Sequence, residues 1–139
     1  DLDHHFLILY VEDNEANLAL VEGVLDHHKE ISLISAPQAR LGIDLAISRQ
    51  PDLILMDIQL PEMDGIEAFQ ILKDHEKTWN IPVIALSAGA MEKDIKRALD
   101  SGFEAYITKP IDVSVFNKVI NRYLIVKNQQ TLKVPSTTS

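Results

Sequence analysis

Glu12, Asp13, Asp57, Ser87 and Lys109 are the residues of this 139-residue chain best suited to chemistry. Each stands at the end of a short apolar run. Glu12 and Asp13 follow Phe6-Leu7-Ile8-Leu9-Tyr10-Val11, and Asp57 follows Leu53-Ile54-Leu55-Met56. Ser87 follows Val83-Ile84-Ala85-Leu86, and Thr108-Lys109-Pro110 follows Ala105-Tyr106-Ile107. Three carboxylates brought together repel one another unless a cation compensates them. Oxygen donors without His or Cys suit Mg²⁺ (or Mn²⁺) better than zinc. An ammonium is not needed by such a metal. It suits a bound anion instead, phosphate above all, and a Ser hydroxyl adds a donor to that anion. A carboxylate between these groups can attack phosphorus and become an aspartyl phosphate, with catalysis by positioning and charge stabilisation.

That chemistry requires the run ends to meet. A fifth run, Ile31-Ser32-Leu33-Ile34, completes a series whose starts lie 25, 22, 30 and 22 residues apart. The runs are nearly continuous in Ile, Leu and Val, the pattern of strands buried on both faces of a parallel sheet. Helix-length stretches separate them. Phe116, Val119, Ile120 and Tyr123 fall at helical spacing, as do Met91, Ile95, Ala98 and Leu99, which predicts two core-facing stripes. Val21, Val24 and Leu25, with Ala16 and Leu20, predict another inward face.

Capping signals agree. Asn14, Asp64 and Asp112 can cap helices, Asp64 with Glu67 close to a capping box. Gly102 suits a left-handed helix end. Five β-α units over roughly residues 6 to 123 are too few for an eight-unit barrel and predict an open, doubly wound α/β sheet. In such a sheet, ligands bind outside the carboxyl ends of the strands, where the five candidates stand.

Composition narrows the function. The chain carries 21 Asp+Glu against 13 Lys+Arg, a formal net charge of -8, which disfavours a nucleic-acid surface. With no Cys, disulfides, thiolate zinc sites and cysteine nucleophiles are excluded. No apolar run approaches the ~20 residues of a membrane span, and no signal peptide is visible, so a cytoplasmic domain without membrane contact is expected. Its parent chain is expected to extend further and to be membrane-associated in one setting. Residues 1–5 read as a leader, 6–124 as one domain, and 125–139 as a polar tail or linker.

Four segments together resemble the receiver domain of two-component response regulators. They are Val11-Glu12-Asp13-Asn14, Leu55 to Gly65 with Asp57 inside it, Ile81-Pro82-Val83-Ile84-Ala85-Leu86-Ser87-Ala88, and Ala105-Tyr106-Ile107-Thr108-Lys109-Pro110. The resemblance covers about residues 6 to 124. It implies a flavodoxin-like (βα)5 three-layer sandwich with strand order 2-1-3-4-5, an order for which a chemotaxis receiver is itself the reference example. It implies Asp57 as phosphoacceptor, Asp13 as direct Mg²⁺ ligand, Glu12 acting through water, and the Gln59 backbone carbonyl as a third protein ligand. It implies Ser87 as switch hydroxyl, Lys109 as phosphate partner, Tyr106 as switch aromatic, and a cis Lys109–Pro110 bond. The implied donor is a histidine of a kinase or phosphotransfer domain. The opening Val-Glu-Asp-Asn and the loop after Asp57 resemble receivers of hybrid sensor histidine kinases, and a free-standing regulator fits the same length.

Other readings predict different features. A phosphatase-like hydrolase with an Asp nucleophile would carry Asp-x-Asp-x-Thr after its first strand, whereas here Asp57-Ile58-Gln59 follows the third run. A phosphorylation-independent docking module would not need the full set of five. On the leading reading, enzymatic activity is confined to self-catalysed phosphotransfer and autodephosphorylation. No Gly-x-Gly-x-x-Gly follows any run, which removes dinucleotide binding. Asp64 and Gly65 read as structural, shaping the loop after Asp57. The pairs His4-His5 and His27-His28 lack ligand spacing and read as surface residues. Trp79 reads as a partly packed loop residue.

Overall fold

A computed structural model describes residues 6–89 and 91–124. The leader and tail expected at 1–5 and 125–139 lie outside the described residues. Five strands, β1 (Phe6–Val11), β2 (Ile31–Ala36), β3 (Leu53–Asp57), β4 (Val83–Ser87) and β5 (Ala105–Thr108), alternate with helices. The helices are α1 (Glu15–Leu25), α2 (Ala39–Arg49), α3 (Gly65–Asp74), α4 (Glu92–Ser101) and α5, over residues 113–124. All strand pairs are parallel, in the order β2-β1-β3-β4-β5. This is the doubly wound (βα)5 sandwich that the βα rhythm predicts. Parallel strands need a crossover between them, so all five carboxyl ends fall on one edge.

Alternation along the strands divides the core. Leu9, Val11, Ile54, Met56 and Ala85 face α2, α3 and Ala98 of α4. Ile8, Tyr10, Leu55, Leu86 and Ile107 face Val21 and Leu25 of α1 and Phe116 and Ile120 of α5. Two-sided burial holds for the central strands β1, β3 and β4 but not for β2 and β5. Those two are edge strands with a neighbour on one side only, so much of each stays half-buried despite its apolar sequence.

The predicted caps form. Asn14 Oδ1 accepts from the Asn17 N–H, Asp64 Oδ1 from Ile66, and Asp112 Oδ1 from Val115. Gly102 ends α4 at φ 118°, a conformation that costs Gly little. Two helical stripes depart from expectation. Ala16 and Leu20 lie on the exposed side of α1, whose inner side carries Leu18, Val21 and Leu25. On α4 only Ala98 is fully buried, while Met91 is 62% exposed and Leu99 44%. Helical spacing marks a stripe, but burial requires a neighbour to cover it. Trp79 is more exposed than expected, at 59%.

Gly65 has a steric role. A Cβ there would lie 2.3 Å from Ile58 Cα, the residue after Asp57, and the Gly65 N–H bonds the Ile58 carbonyl. Gly65→Ala is therefore expected to cost about 1–3 kcal/mol in urea denaturation by forcing this loop open. Unchanged stability would show that the contact is not needed.

Candidate functional site

The carboxyl edge assembles an acidic cluster from two adjacent strands. β1 and β3 pair with Val11 opposite Met56, so the residues that follow, Glu12, Asp13 and Asp57, are neighbours. One carboxylate oxygen from each lies within 4.8 Å of the others, a grouping that could hold a metal ion. Glu12 and Asp57 are buried, each 3% exposed, and Asp13 is exposed. Lys109, held where β5 extends beside β4 by its N–H bond to the Ser87 carbonyl, completes the site. Its ammonium donates to Glu12 Oε1 at 2.8 Å and to Asp57 Oδ2 at 3.1 Å. The Lys109–Pro110 peptide bond is cis.

Every oxygen of the two buried carboxylates meets a donor. Glu12 Oε1 also accepts from the Tyr10 hydroxyl at 2.8 Å, and Glu12 Oε2 from the Asn14 N–H at 3.1 Å. Asp57 Oδ1 accepts from the Gln59 N–H at 2.9 Å. These environments differ in effect. Burial pushes the Glu12 carboxyl up, but the bonds from Lys109 and Tyr10 outweigh it and hold Glu12 below the usual carboxylate range. Burial also pushes Asp57 up, the Glu12 charge adds to it, and the Gln59 and Lys109 bonds do not cancel it, so Asp57 stands raised. Burial disfavours the Lys109 charge, yet its two carboxylate bonds raise its pKa overall.

Alternation separates the remaining candidates from this cluster. Ser87 shares the parity of Val83 and Ala85, on the α3 side of the sheet, whereas Glu12 and Asp57 share that of Tyr10 and Leu55. The Ser87 hydroxyl accepts from the Gly89 N–H at 3.0 Å. Tyr106 packs against the same side and donates its hydroxyl to the Gly89 carbonyl at 2.7 Å. Gln59 joins the two halves, its N–H on Asp57 and its side-chain oxygen accepting from the Ala88 N–H at 3.3 Å. A cavity of about 480 Å³ opens beside Ser87, with Gln59, Asp64, Gly89, Arg97 and Tyr106 among its lining residues. Asp64 also pairs with Arg97 of α4 at 3.7 Å.

The donor set fits a hard divalent ion. It offers only carboxylate oxygens, and the exposed Asp13 leaves an approach from solvent. Sequence reasoning missed Tyr10, which sits inside an apolar run. The signal was there: Tyr10 and Glu12 are two residues apart on a strand and must share a face.

Comparison with known proteins agrees with this geometry. Residues 8–121 match the family model described as the response regulator receiver domain. The chain belongs to that family and is a receiver domain of a two-component system. It is 46% identical over 120 residues to the polar-differentiation response regulator DivK of Brucella ovis, covering 84% of this chain and 94% of the relative. Among solved structures, it resembles the receiver domain of the sensor histidine kinase PA1611 from Pseudomonas aeruginosa, which has a magnesium ion coordinated in its active-site cleft. The TM-score is 0.77 at 28% identity, over 86% of this chain and 98% of that one. It also resembles the receiver domain of the Saccharomyces cerevisiae response regulator Ssk1, solved with the histidine phosphotransfer protein Ypd1. Here the TM-score is 0.80 at 31% identity, over 88% and 91% of the two chains. No helix among the described residues is long and apolar enough to cross a membrane.

Proposed function

We propose that Asp57 accepts a phosphoryl group from a histidine of a kinase or phosphotransfer domain, and that this changes a partner-binding surface. The observation that carries the reading is the buried Glu12–Lys109–Asp57 bridge. An Asp57 oxygen forms the new O–P bond as the donor's N–P bond breaks, and the departing imidazole takes up a proton. The Lys109 ammonium, already bonded to Asp57 Oδ2, is placed to neutralise charge gathering on the phosphoryl oxygens.

Asp13, Asp57 and the Gln59 carbonyl would hold Mg²⁺ (or Mn²⁺), with Glu12 acting through water, as the resemblance to receiver domains implies. When bound, the ion supplies positive charge to the transferring group and to the carboxylates.

Ser87 and Tyr106 form the proposed switch. Both bond to Gly89, one to its N–H and the other to its carbonyl. A Ser87 hydroxyl that turns to donate to a phosphoryl oxygen would shift this turn, and Tyr106 with it. The exposed Met91 that caps α4, and Leu99 on it, would then be re-presented to a partner. The domain would act in the cytoplasm. A parent hybrid sensor histidine kinase is one setting, and a regulator of DivK-like size is the other, supported by the 94% coverage of that relative.

Intact-mass measurement after incubation with Mg²⁺ and acetyl phosphate tests the reading. One phosphoryl group per chain is expected, and EDTA should abolish it. No gain in Mg²⁺ would overturn the proposal. Sustained turnover of many phosphate monoesters would favour the hydrolase instead.

A further inference from the structure

Glu12 Oε1 carries two donors, and only one of them is charged. The other comes from Tyr10, whose ring is fully buried between the sheet and the α1–α5 layer. A large core position filled by Tyr rather than Phe requires a partner for the hydroxyl, and Glu12 provides it at 2.8 Å.

This doubling matters when Lys109 moves. In the unphosphorylated protein its ammonium is shared between Glu12 and Asp57. A phosphoryl group on Asp57 draws the ammonium to its own oxygens and away from Glu12. A buried carboxylate that loses the charged side chain bonded to it carries a desolvation penalty, and that penalty opposes the move. We infer that Tyr10 is a positioning residue, a standby donor that keeps Glu12 Oε1 hydrogen-bonded while Lys109 transfers to the phosphoryl group. With the Asn14 N–H on Oε2, Glu12 then keeps a donor on each oxygen. The hydroxyl thereby lowers the barrier to phosphorylation without touching the phosphoryl group. This inference rests on Asp57 as phosphoacceptor.

The test compares the full chain with Tyr10→Phe, Glu12→Gln and the double variant, in Mg²⁺ and acetyl phosphate, by intact mass against time. Tyr10→Phe removes one oxygen and keeps the ring. It is expected to slow phosphorylation about tenfold. In the Glu12→Gln background, where no buried charge needs a donor, the same change is expected to cost about twofold or less. A purely structural role for the hydroxyl would give the same factor in both backgrounds and would overturn the inference.

Proton NMR of the wild type gives a readout independent of rate and of variant folding. Burial and the bond to Glu12 predict a slowly exchanging Tyr10 hydroxyl signal, which should persist after phosphorylation and shift downfield. Its disappearance would overturn the inference. A wild type that gains no phosphoryl group overturns the Asp57 assignment, and the Tyr10 role with it. Normal phosphorylation in both wild type and Tyr10→Phe overturns the Tyr10 role alone.

Discussion

Asp57→Asn is expected to gain no phosphoryl group under conditions that phosphorylate the wild type. The substitution keeps the side-chain shape and an oxygen to accept from the Gln59 N–H. It removes the nucleophilic charge. Intact mass reads the loss directly, and phosphorylation equal to wild type would remove Asp57 from its assigned role. The same variant should be at least as stable as the wild type in EDTA. Burial and the Glu12 charge hold the Asp57 carboxyl above its ordinary range, so its ionised form is disfavoured on folding. A neutral Asn escapes that cost. The sign fixes the pH dependence. The advantage should be full above the folded-state pKa. It should shrink as acid protonates the wild-type carboxyl and disappear below its unfolded value. Urea denaturation across pH checks this, and an advantage that grows on acidification would contradict it.

Lys109→Ala is expected to have the second large effect, in two measurements of opposite metal dependence. The ammonium pairs two carboxylates whose side chains are 1% and 4% exposed, and is itself 15% exposed. Removing one member of a buried ionic group typically costs about 3–5 kcal/mol, because the remaining charges stay buried and unpaired. In EDTA the variant should lose stability on that scale by urea denaturation. Added Mg²⁺ should recover more stability in the variant than in the wild type, because a competing positive charge has gone and a native-state ligand stabilises in proportion to its affinity. Phosphorylation should nevertheless fall about a hundredfold or more, since a diffusible ion does not replace a fixed donor aimed at the phosphoryl oxygens. Equal stability of the two proteins in EDTA would show that the bridge contributes little to the folded state.

Much of this site was legible in the chain. The parallel βα rhythm requires every strand to run in one direction, so residues after the apolar runs must share an edge. Glu12, Asp13, Asp57, Ser87 and Lys109 could therefore be assigned to one end of the sheet from their positions alone. The caps at Asn14, Asp64 and Asp112 and the left-handed Gly102 were equally readable, because these features depend on only a few neighbouring residues.

The tertiary structure decided what depends on neighbours distant in the chain. Spacing marked a stripe on α4, but Met91 and Leu99 are exposed because the fold covers only the Ala98 side of that helix. Apolar content made all five strands look buried, but sheet order leaves β2 and β5 at the edges. The shared edge itself divides by face. Strand parity sets Glu12 and Asp57 with the α1–α5 side and Ser87 with the α3 side, and Gln59 bonds to both Asp57 and Ala88. The sequence by itself determined which groups reach the site, because strand direction and local caps are encoded within short stretches. Only the fold decided which of them bond, because strand adjacency and face bring Lys109 across 97 residues to Glu12 and turn the Tyr10 hydroxyl onto the same oxygen.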